Sequence, residues 1–186
     1  MNLNELRQAI DKLDGDFIAK VAELMHWLKK NHQSAPNSPA QEKNLLRRCL
    51  DQVRPLSKNL DSYFVIALIT CLRQYASRHG SSLGQAGLEP SESSQLCVEI
   101  LTILNERVEL ARQVESVKRE NNEGIINVVR EETVIETCIS HGHLVAGEET
   151  NFELLEEDFV ILLMTLVIDY CTKVELSVRE ASLKKT

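Results

Sequence analysis

Glycine, proline and aromatic residues are scarce in this sequence of 186 residues, which has seven glycines, four prolines and 4% aromatic residues. Sandwiches and barrels need many turns and strands rich in aromatic and β-branched residues, so this composition argues against both. The 43% of hydrophobic residues come mainly from Leu, Ile and Val. We therefore expect an all-α protein with enough apolar material to bury a substantial core.

The chain also lacks an excess of basic residues and long apolar runs. Its net charge of −7 argues against a nucleic-acid partner, because that function requires clustered cations. A small anionic ligand remains compatible with this charge, since a few buried cations can dominate the potential inside a cleft. No run approaches the roughly 20 apolar residues of a membrane span, and the first residues lack a signal-peptide pattern. We expect a cytoplasmic protein without a membrane partner.

The cysteines are odd in number and include no C-x-x-C pair, so they predict neither a disulfide framework nor a zinc site. The segment His141-Gly142-His143 is the other candidate for metal binding. Two histidines in a glycine-containing loop, without carboxylate or cysteine partners, are more typical of a surface. We therefore predict no metal site and a reducing compartment.

The helical pattern occurs twice along the chain. Apolar residues recur at spacings of three and four from Leu3 to Leu28, which predicts a long helix ending near Asn31. A short helix is expected at about 45–53, and a third begins after a cap at Asn59 or Asp61. After a Gly- and Ser-rich stretch, the same order follows at about 93–121, 127–145 and 152–181. We predict two tandem three-helix repeats, 1–80 and 93–186, joined by a linker at 81–92.

Several ionisable residues of the second repeat fall on helix faces that should be buried. Arg107 and Lys118 are eleven residues apart, about three turns, so they share one face about 16 Å apart. Glu175 lies on the apolar stripe of the last helix, and Glu131 precedes Val134 by one turn. Each side chain alone could reach solvent along its aliphatic stem. Together they indicate a polar cavity inside a helical bundle, which is the usual ligand site of that architecture.

The residues around this cavity resemble the all-helical chorismate mutases. Their pattern is an Arg, a Lys eleven residues later, and an Arg-Glu pair twelve residues after the Lys. This sequence has Arg107 in Asn105-Glu-Arg-Val-Glu-Leu-Ala-Arg-Gln-Val114, then Lys118, then Arg130-Glu131. The resemblance covers about residues 94–178 and implies a cofactor-free isomerase that converts chorismate, a dianion, to prephenate in aromatic amino-acid biosynthesis.

The resemblance also implies an Arg near the N-terminus of the first helix, seventeen residues before the mid-helix Arg. The first repeat has Arg7 in a matching motif, but Leu24 stands seventeen residues later. The second repeat has Arg107, but Pro90 stands seventeen residues earlier. We therefore expect an intertwined six-helix pseudo-dimer with one complete site, made of Arg7 and the three helices of the second repeat.

The family's roles can be carried over to the matching residues. Arg7 and Arg107 would bind the two substrate carboxylates, and Lys118 would donate to the breaking ether oxygen. Glu131 would accept from the ring hydroxyl, and Arg130 would complete the positive wall. The remaining expected contacts of the ring and the carboxylates come from Val114, Ile168, Cys171, Glu175 and Asn127.

Three of these positions depart from the commoner family residues. Glu175 replaces a Gln that donates to the ether oxygen, as it does in some other members, and a carboxyl group can donate only when protonated. Cys171 replaces a Ser, and a thiol is a weaker donor. Asn127 replaces an Asp whose contact can be made by the backbone.

Two other functions remain open from the sequence. An isochorismate pyruvate-lyase shares this fold and much of the cationic pocket, and a relative without catalysis would serve as a regulatory or interaction module. A duplicated chain has less need to dimerise, which favours a monomer and leaves a homodimer open.

Overall fold

The computed structural model describes residues 1–30, 47, 51, 59–79, 92–148 and 155–184. Within these ranges every regular element is a helix and none is a strand, so the predicted all-α class is confirmed. The helices are α1 (Leu3–Lys30), α2 (Ser62–Arg78), α3 (Glu92–Glu120), α4 (Val128–Glu148) and α5 (Glu157–Leu183).

Most helix ends lie close to the predicted ones. α1 ends at Lys30, one residue before the predicted end, and α3 and α4 lie within a few residues of the predicted bounds. The short helix predicted at about 45–53 lies outside the described residues, except for Arg47 and Asp51, which are both helical. Residues 80–91, which contain most of the predicted linker, also lie outside them.

The predicted start of the last helix, at about 152, was wrong. Leu155 and Glu156 are not helical, and α5 begins at Glu157. Leu155 is buried, and the Glu156 amide donates to the Tyr75 hydroxyl at 3.2 Å, so Leu155 packs into the core before the helix begins. Glu157 and Asp158 then form an acidic first turn, which the positive N-terminal end of the helix dipole favours.

The long helices α1 and α3 pack along each other and run antiparallel. Asp14 contacts Arg107, and six residues later Lys20 contacts Glu99. The apolar positions between and beyond these contacts are buried, and they merge with residues of α2, α4 and α5 into one core. α4 and α5 also pack on each other, while α4 contacts α1 and α5 contacts α3.

A close approach between α1 and α4 depends on two glycines. A Cβ atom on Gly15 would lie 3.3 Å from the His141 ring, and one on Gly142 would lie 3.7 Å from Ile18. His141 and Gly142 therefore belong to a helix and are partly or fully buried, so the predicted surface loop was wrong here. The missed signal is that a glycine inside a helix often marks a tight contact between helices.

α2 is joined to α5 by stacked rings and a cap. Asp61, one of the two predicted caps, accepts from the Phe64 amide at 2.8 Å. The Tyr170 hydroxyl accepts from the Asp61 amide at 2.9 Å, and its ring stacks on Phe64 at 4.1 Å. These contacts fix the first residues of α2 against α5. No helix in the described ranges is long and apolar enough to cross a membrane.

Candidate functional site

One cavity lies at the junction of α1, α3, α4, α5 and the turn between α3 and α4. All ten residues predicted from the sequence line it: Arg7, Arg107, Val114, Lys118, Asn127, Arg130, Glu131, Ile168, Cys171 and Glu175. Five more side chains complete the lining: Ile10, Ala111, Ile125, Val134 and Thr172. The structure therefore brings α1 of the first half together with the polar residues of the second half.

Arg107 is buried, and its guanidinium is held from two sides. Nε and Nη2 donate to the two carboxylate oxygens of Asp14 at 2.5 and 3.1 Å. Nη1 donates to Sγ of Cys171 at 3.0 Å, so the thiol acts as an acceptor. A guanidinium has five N–H donors, and these bonds leave two for a ligand. Burial raises the pKa of Asp14, and the charge and hydrogen bonds of Arg107 oppose that rise.

Arg130 is anchored to α1 in a similar way. Its Nη2 donates to the Asp11 carboxylate and, at 3.4 Å, to the Arg7 carbonyl. The Arg130 amide donates to the Asn127 side chain at 3.0 Å, so Asn127 caps the start of α4 as well as lining the cavity. The Arg7 side chain lines the cavity too, and it forms no ion pair with the described residues. Its guanidinium is available to a ligand.

The sharp turn at the end of α3 brings one of the hydrogen-bond partners of Lys118 to the cavity. Asn122 has a φ of 57°, the left-handed conformation that Asn tolerates better than most residues. The Glu123 amide donates to the Lys118 carbonyl and the Asn122 amide to the Arg119 carbonyl, which is a Schellman motif. The chain then returns, so that the Ile125 carbonyl accepts from Lys118 Nζ at 2.7 Å.

Glu175 is the second partner of Lys118, with Oε2 at 3.0 Å from Nζ. These two bonds leave one ammonium donor for a ligand. Burial raises the pKa of Glu175, Lys118 opposes the rise, and the nearby Glu115 charge adds to it. Glu115 is itself fully buried and is held by the Arg179 guanidinium at 2.6 and 3.0 Å. Two ion pairs, Lys118 with Glu175 and Arg179 with Glu115, therefore lie beside each other between the cavity and the last turns of α5.

The lining has a positive balance of charge. It contains four cations, Arg7, Arg107, Lys118 and Arg130, and two carboxylates, Glu131 and Glu175. With all six groups ionised, the lining carries a net charge of +2. The aliphatic side chains, Val114 and Ile168 among them, give flat apolar walls between the charges. This arrangement suits a small ligand with an apolar ring and two negative charges.

Sequence reasoning missed the two carboxylates behind the arginines, Asp11 and Asp14. Asp14 lies four residues after Ile10 and three before Phe17, on the buried stripe of α1, and only 1% of it is exposed. Arg107 and Glu175 are recognisable in the sequence as charged residues on apolar helix faces. The same criterion identifies Asp14. Asp11 follows Arg7 by four residues and so lies on the same face.

The described ranges contain no group of three His, Cys, Asp or Glu residues arranged to hold a metal ion. Three carboxylates at or behind the cavity, Asp11, Asp14 and Glu175, are paired with Arg and Lys side chains. The hydrogen-bond donors and fixed charges of the cavity can bind an anion and stabilise charge that develops during a reaction.

Comparison with known proteins gives one match. The family model of chorismate mutase type II matches residues 92–176, slightly less than half of the chain. Among curated proteins and solved structures, no match was found. The matched range contains all of α3 and α4 and most of α5, with nine of the ten predicted cavity residues. Arg7 lies outside it. Residues 92–176 of this chain are therefore similar to the chorismate mutase type II family.

Proposed function

We propose that the chain is a chorismate mutase, an isomerase that converts chorismate to prephenate in aromatic amino-acid biosynthesis, with one active site per chain. The observation that carries this proposal is the cavity lining of four cations and two carboxylates around an apolar ring slot. Chorismate is a dianion, so a lining with more cations than carboxylates suits it. The family match of residues 92–176 supports the same reaction.

The reaction is an intramolecular Claisen rearrangement, in which the ether bond breaks and a carbon–carbon bond forms within one molecule. It requires no covalent intermediate. The protein's contribution is to hold the substrate in a compact chair and to stabilise negative charge that develops on the ether oxygen. Side chains that donate hydrogen bonds from fixed positions are sufficient for both tasks.

The proposed roles follow from the donors that remain free. Arg7 and the two free N–H groups of Arg107 bind the two carboxylates, since a guanidinium can pair with a carboxylate through two parallel bonds. The third Lys118 donor goes to the ether oxygen. Glu131 accepts from the ring hydroxyl, and Arg130 adds positive charge to the wall.

Glu175 is the proposed second donor to the ether oxygen, and it can act only as the neutral acid. Its pKa is raised by burial, which favours that form. A bound dianion adds negative charge beside Glu175, and a nearby like charge further favours the neutral form of a carboxyl group. The proposal therefore couples substrate binding to protonation of Glu175.

We also propose that the halves are tandem repeats that complete each other, with residues 1–80 and 93–186 as the two units. The contribution of Arg7 and Ile10 from α1 to a cavity built otherwise from residues after 92 supports this arrangement. Where the second half has the buried Arg107, the first half has the fully buried Leu24, which suits a core and not a second anion site.

The test of function is incubation of the purified chain with chorismate, with prephenate identified by chromatography because substrate and product are isomers. We expect turnover well above an enzyme-free control. Lys118→Ala should reduce it at least hundredfold, while Arg119→Ala, an exposed cation on the same turn, should not. If the chain converts isochorismate to salicylate and pyruvate and forms no prephenate from chorismate, it is a lyase instead. Binding without turnover of either substrate would indicate a regulatory module.

The shared site has its own test in Arg7→Ala. We expect a loss of at least about a hundredfold in kcat/KM, because one substrate carboxylate loses its guanidinium. The melting temperature should hardly change, since Arg7 forms no ion pair with the described residues. Lys12→Ala, an exposed cation on the same helix, is the matched control. Wild-type kcat/KM in Arg7→Ala would rule out the shared site.

A further inference from the structure

Asp14 is a charge on the buried face of α1 that plays no part in the mechanism proposed so far. Only 1% of the residue is exposed, and it lies behind Arg107, outside the lining of the cavity. An ionised carboxylate that is buried without a partner would cost several kcal/mol, by the usual order of magnitude. The partner is Arg107, which reaches it from the opposite half of the chain.

The geometry of this pair determines which edge of the guanidinium is free. Nε and Nη2 form the side edge, and both donate to Asp14. Nη1 donates one of its hydrogens to Cys171 Sγ, so one N–H remains on Nη1 and one on Nη2, the two nitrogens at the far end of the group. Because Arg107 lines the cavity and Asp14 lies behind it, the end that remains free is the one that a ligand can meet.

We infer that Asp14 is a positioning residue, whose carboxylate fixes the rotation of the Arg107 guanidinium so that its Nη1–Nη2 end is presented to a substrate carboxylate. The inference rests on the proposed function, since it concerns the orientation of a group that binds the substrate. It also gives α1 a second task in the site, besides supplying Arg7.

Stability alone is a weak explanation of the pair. Replacing a buried ion pair by apolar residues of similar volume is often neutral or stabilising, because the charges no longer need to be desolvated. An Arg and an Asp that lock each other in two parallel bonds do supply direction, which an apolar pair does not. Direction matters here, because a displacement of about 1 Å at a reacting group can reduce the rate about a hundredfold.

The substitution Asp14→Asn tests the inference with little change of shape. The amide keeps one acceptor, but its NH₂ group faces a guanidinium donor, so one of the two bonds is lost. We expect kcat/KM to fall by about tenfold to a hundredfold, and Asp14→Glu, which keeps the carboxylate, to recover part of the loss. Asp16→Asn is the matched control, because Asp16 is exposed two residues further along α1.

A double-mutant cycle separates positioning from a general effect on the fold. In an Arg107→Lys background there is no guanidinium to orient, so Asp14→Asn should reduce kcat/KM by less than about threefold. All variants are compared below their melting temperatures. If Asp14→Asn does not fold, the same cycle is made with Asp14→Glu. An unchanged kcat/KM in Asp14→Asn, or a loss that persists in full beside Arg107→Lys, would overturn the inference.

A crystal structure of Asp14→Asn supplies a readout that does not depend on turnover. We expect the Arg107 guanidinium to leave its present orientation or to occupy more than one. If the wild type does not convert chorismate, the proposed function fails, and this readout still decides whether Asp14 orients Arg107. A guanidinium that keeps its place in Asp14→Asn would count against Asp14 even if the wild type is an active enzyme.

Discussion

The two ends of the antiparallel pair formed by α1 and α3 differ sharply in character. At one end, Arg7, Asp11 and Asp14 of α1 lie near the half of α3 that carries Arg107 and Lys118. At the other end, both helices bury apolar residues that are almost completely inaccessible: Phe17, Val21, Leu24 and Leu28 of α1, and Leu96, Cys97, Ile100 and Leu101 of α3.

This difference shows how one helix pair can provide both a core and a binding site. Because the helices are antiparallel, the polar start of α1 meets the polar end of α3, and the apolar segments meet each other. Each buried charge at the polar end has a partner in the other half or in α5, so it avoids the cost of isolation. The apolar end supplies hydrophobic stabilisation instead.

The largest expected effect at the polar end comes from Arg107→Ala. It removes a proposed substrate contact and leaves Asp14 buried without its cation. We expect kcat/KM to fall by at least a hundredfold, which corresponds to about 2.7 kcal/mol of transition-state stabilisation. Removing one partner of a buried pair should also lower the free energy of unfolding by about 3–5 kcal/mol.

Steady-state kinetics and urea denaturation measure these two losses separately. Arg119→Ala serves as the control, because Arg119 lies on the same helix and is exposed. A variant that keeps its stability while losing activity would mean that Asp14 finds another partner. A variant with unchanged kcat/KM would exclude Arg107 from the site.

At the apolar end, Leu24→Ala should lower stability without lowering kcat/KM. Leu24 is completely buried, so the substitution leaves a cavity and should lower the free energy of unfolding by about 2–5 kcal/mol. Below the melting temperature, kcat/KM should stay near the wild-type value, because Leu24 lies almost three turns along α1 from Asp14, the nearest charge of the polar end on this helix. A hundredfold loss of kcat/KM in folded Leu24→Ala would show that the two ends are not independent.

Much of this arrangement could be predicted from the sequence, because burial leaves a periodic record. Helical spacing predicts the stripe of Arg107 and Lys118, and the resemblance to a known family implies the full set of ten residues that line the cavity. The start of α5 could not be found in this way, since Leu155 is buried without being helical. The periodicity of apolar residues predicts which residues are buried. It does not predict whether the last residues before a helix are themselves helical.

The partners of the buried charges were also beyond the sequence. The Asp14 and Arg107 pair joins residues 93 positions apart, and no local pattern reports which elements meet. The same holds for Glu115 and Arg179, which join α3 to the last turns of α5. Only the packing of helices determines whether a carboxylate on an apolar stripe meets a guanidinium or a substrate.

A smaller effect is expected from the protonation of Glu175 at the polar end. Burial raises the pKa of this carboxyl group, so its neutral form persists to higher pH than in an exposed Glu. The proposed donor is present below that pKa and is lost as the pH rises through it. We expect kcat/KM to fall with rising pH and Glu175→Gln, which donates at every pH, to keep its activity at high pH.

The measurement is kcat/KM from about pH 5 to about pH 9, with wild type and variant in the same buffers. A flat wild-type profile would contradict the role of a protonated Glu175. A fall that is equally steep in Glu175→Gln would assign the pH dependence to another group.

The smallest expected effect lies at the surface of the same helix pair, toward its apolar end. Lys20 forms ion pairs with Glu23 at 2.8 Å and with Glu99 at 2.9 Å, and the three side chains are 34–40% exposed. Ion pairs in contact with water contribute roughly 0.2–1 kcal/mol, because solvent screens the attraction. Lys20→Gln should therefore lower the free energy of unfolding by less than about 1 kcal/mol. The loss should shrink further in high salt, and kcat/KM should not change. Urea denaturation at low and high salt measures this change in the free energy of unfolding. A loss of several kcal/mol would mean that surface ion pairs, and not buried leucines, supply most of the stability at this end of the helix pair.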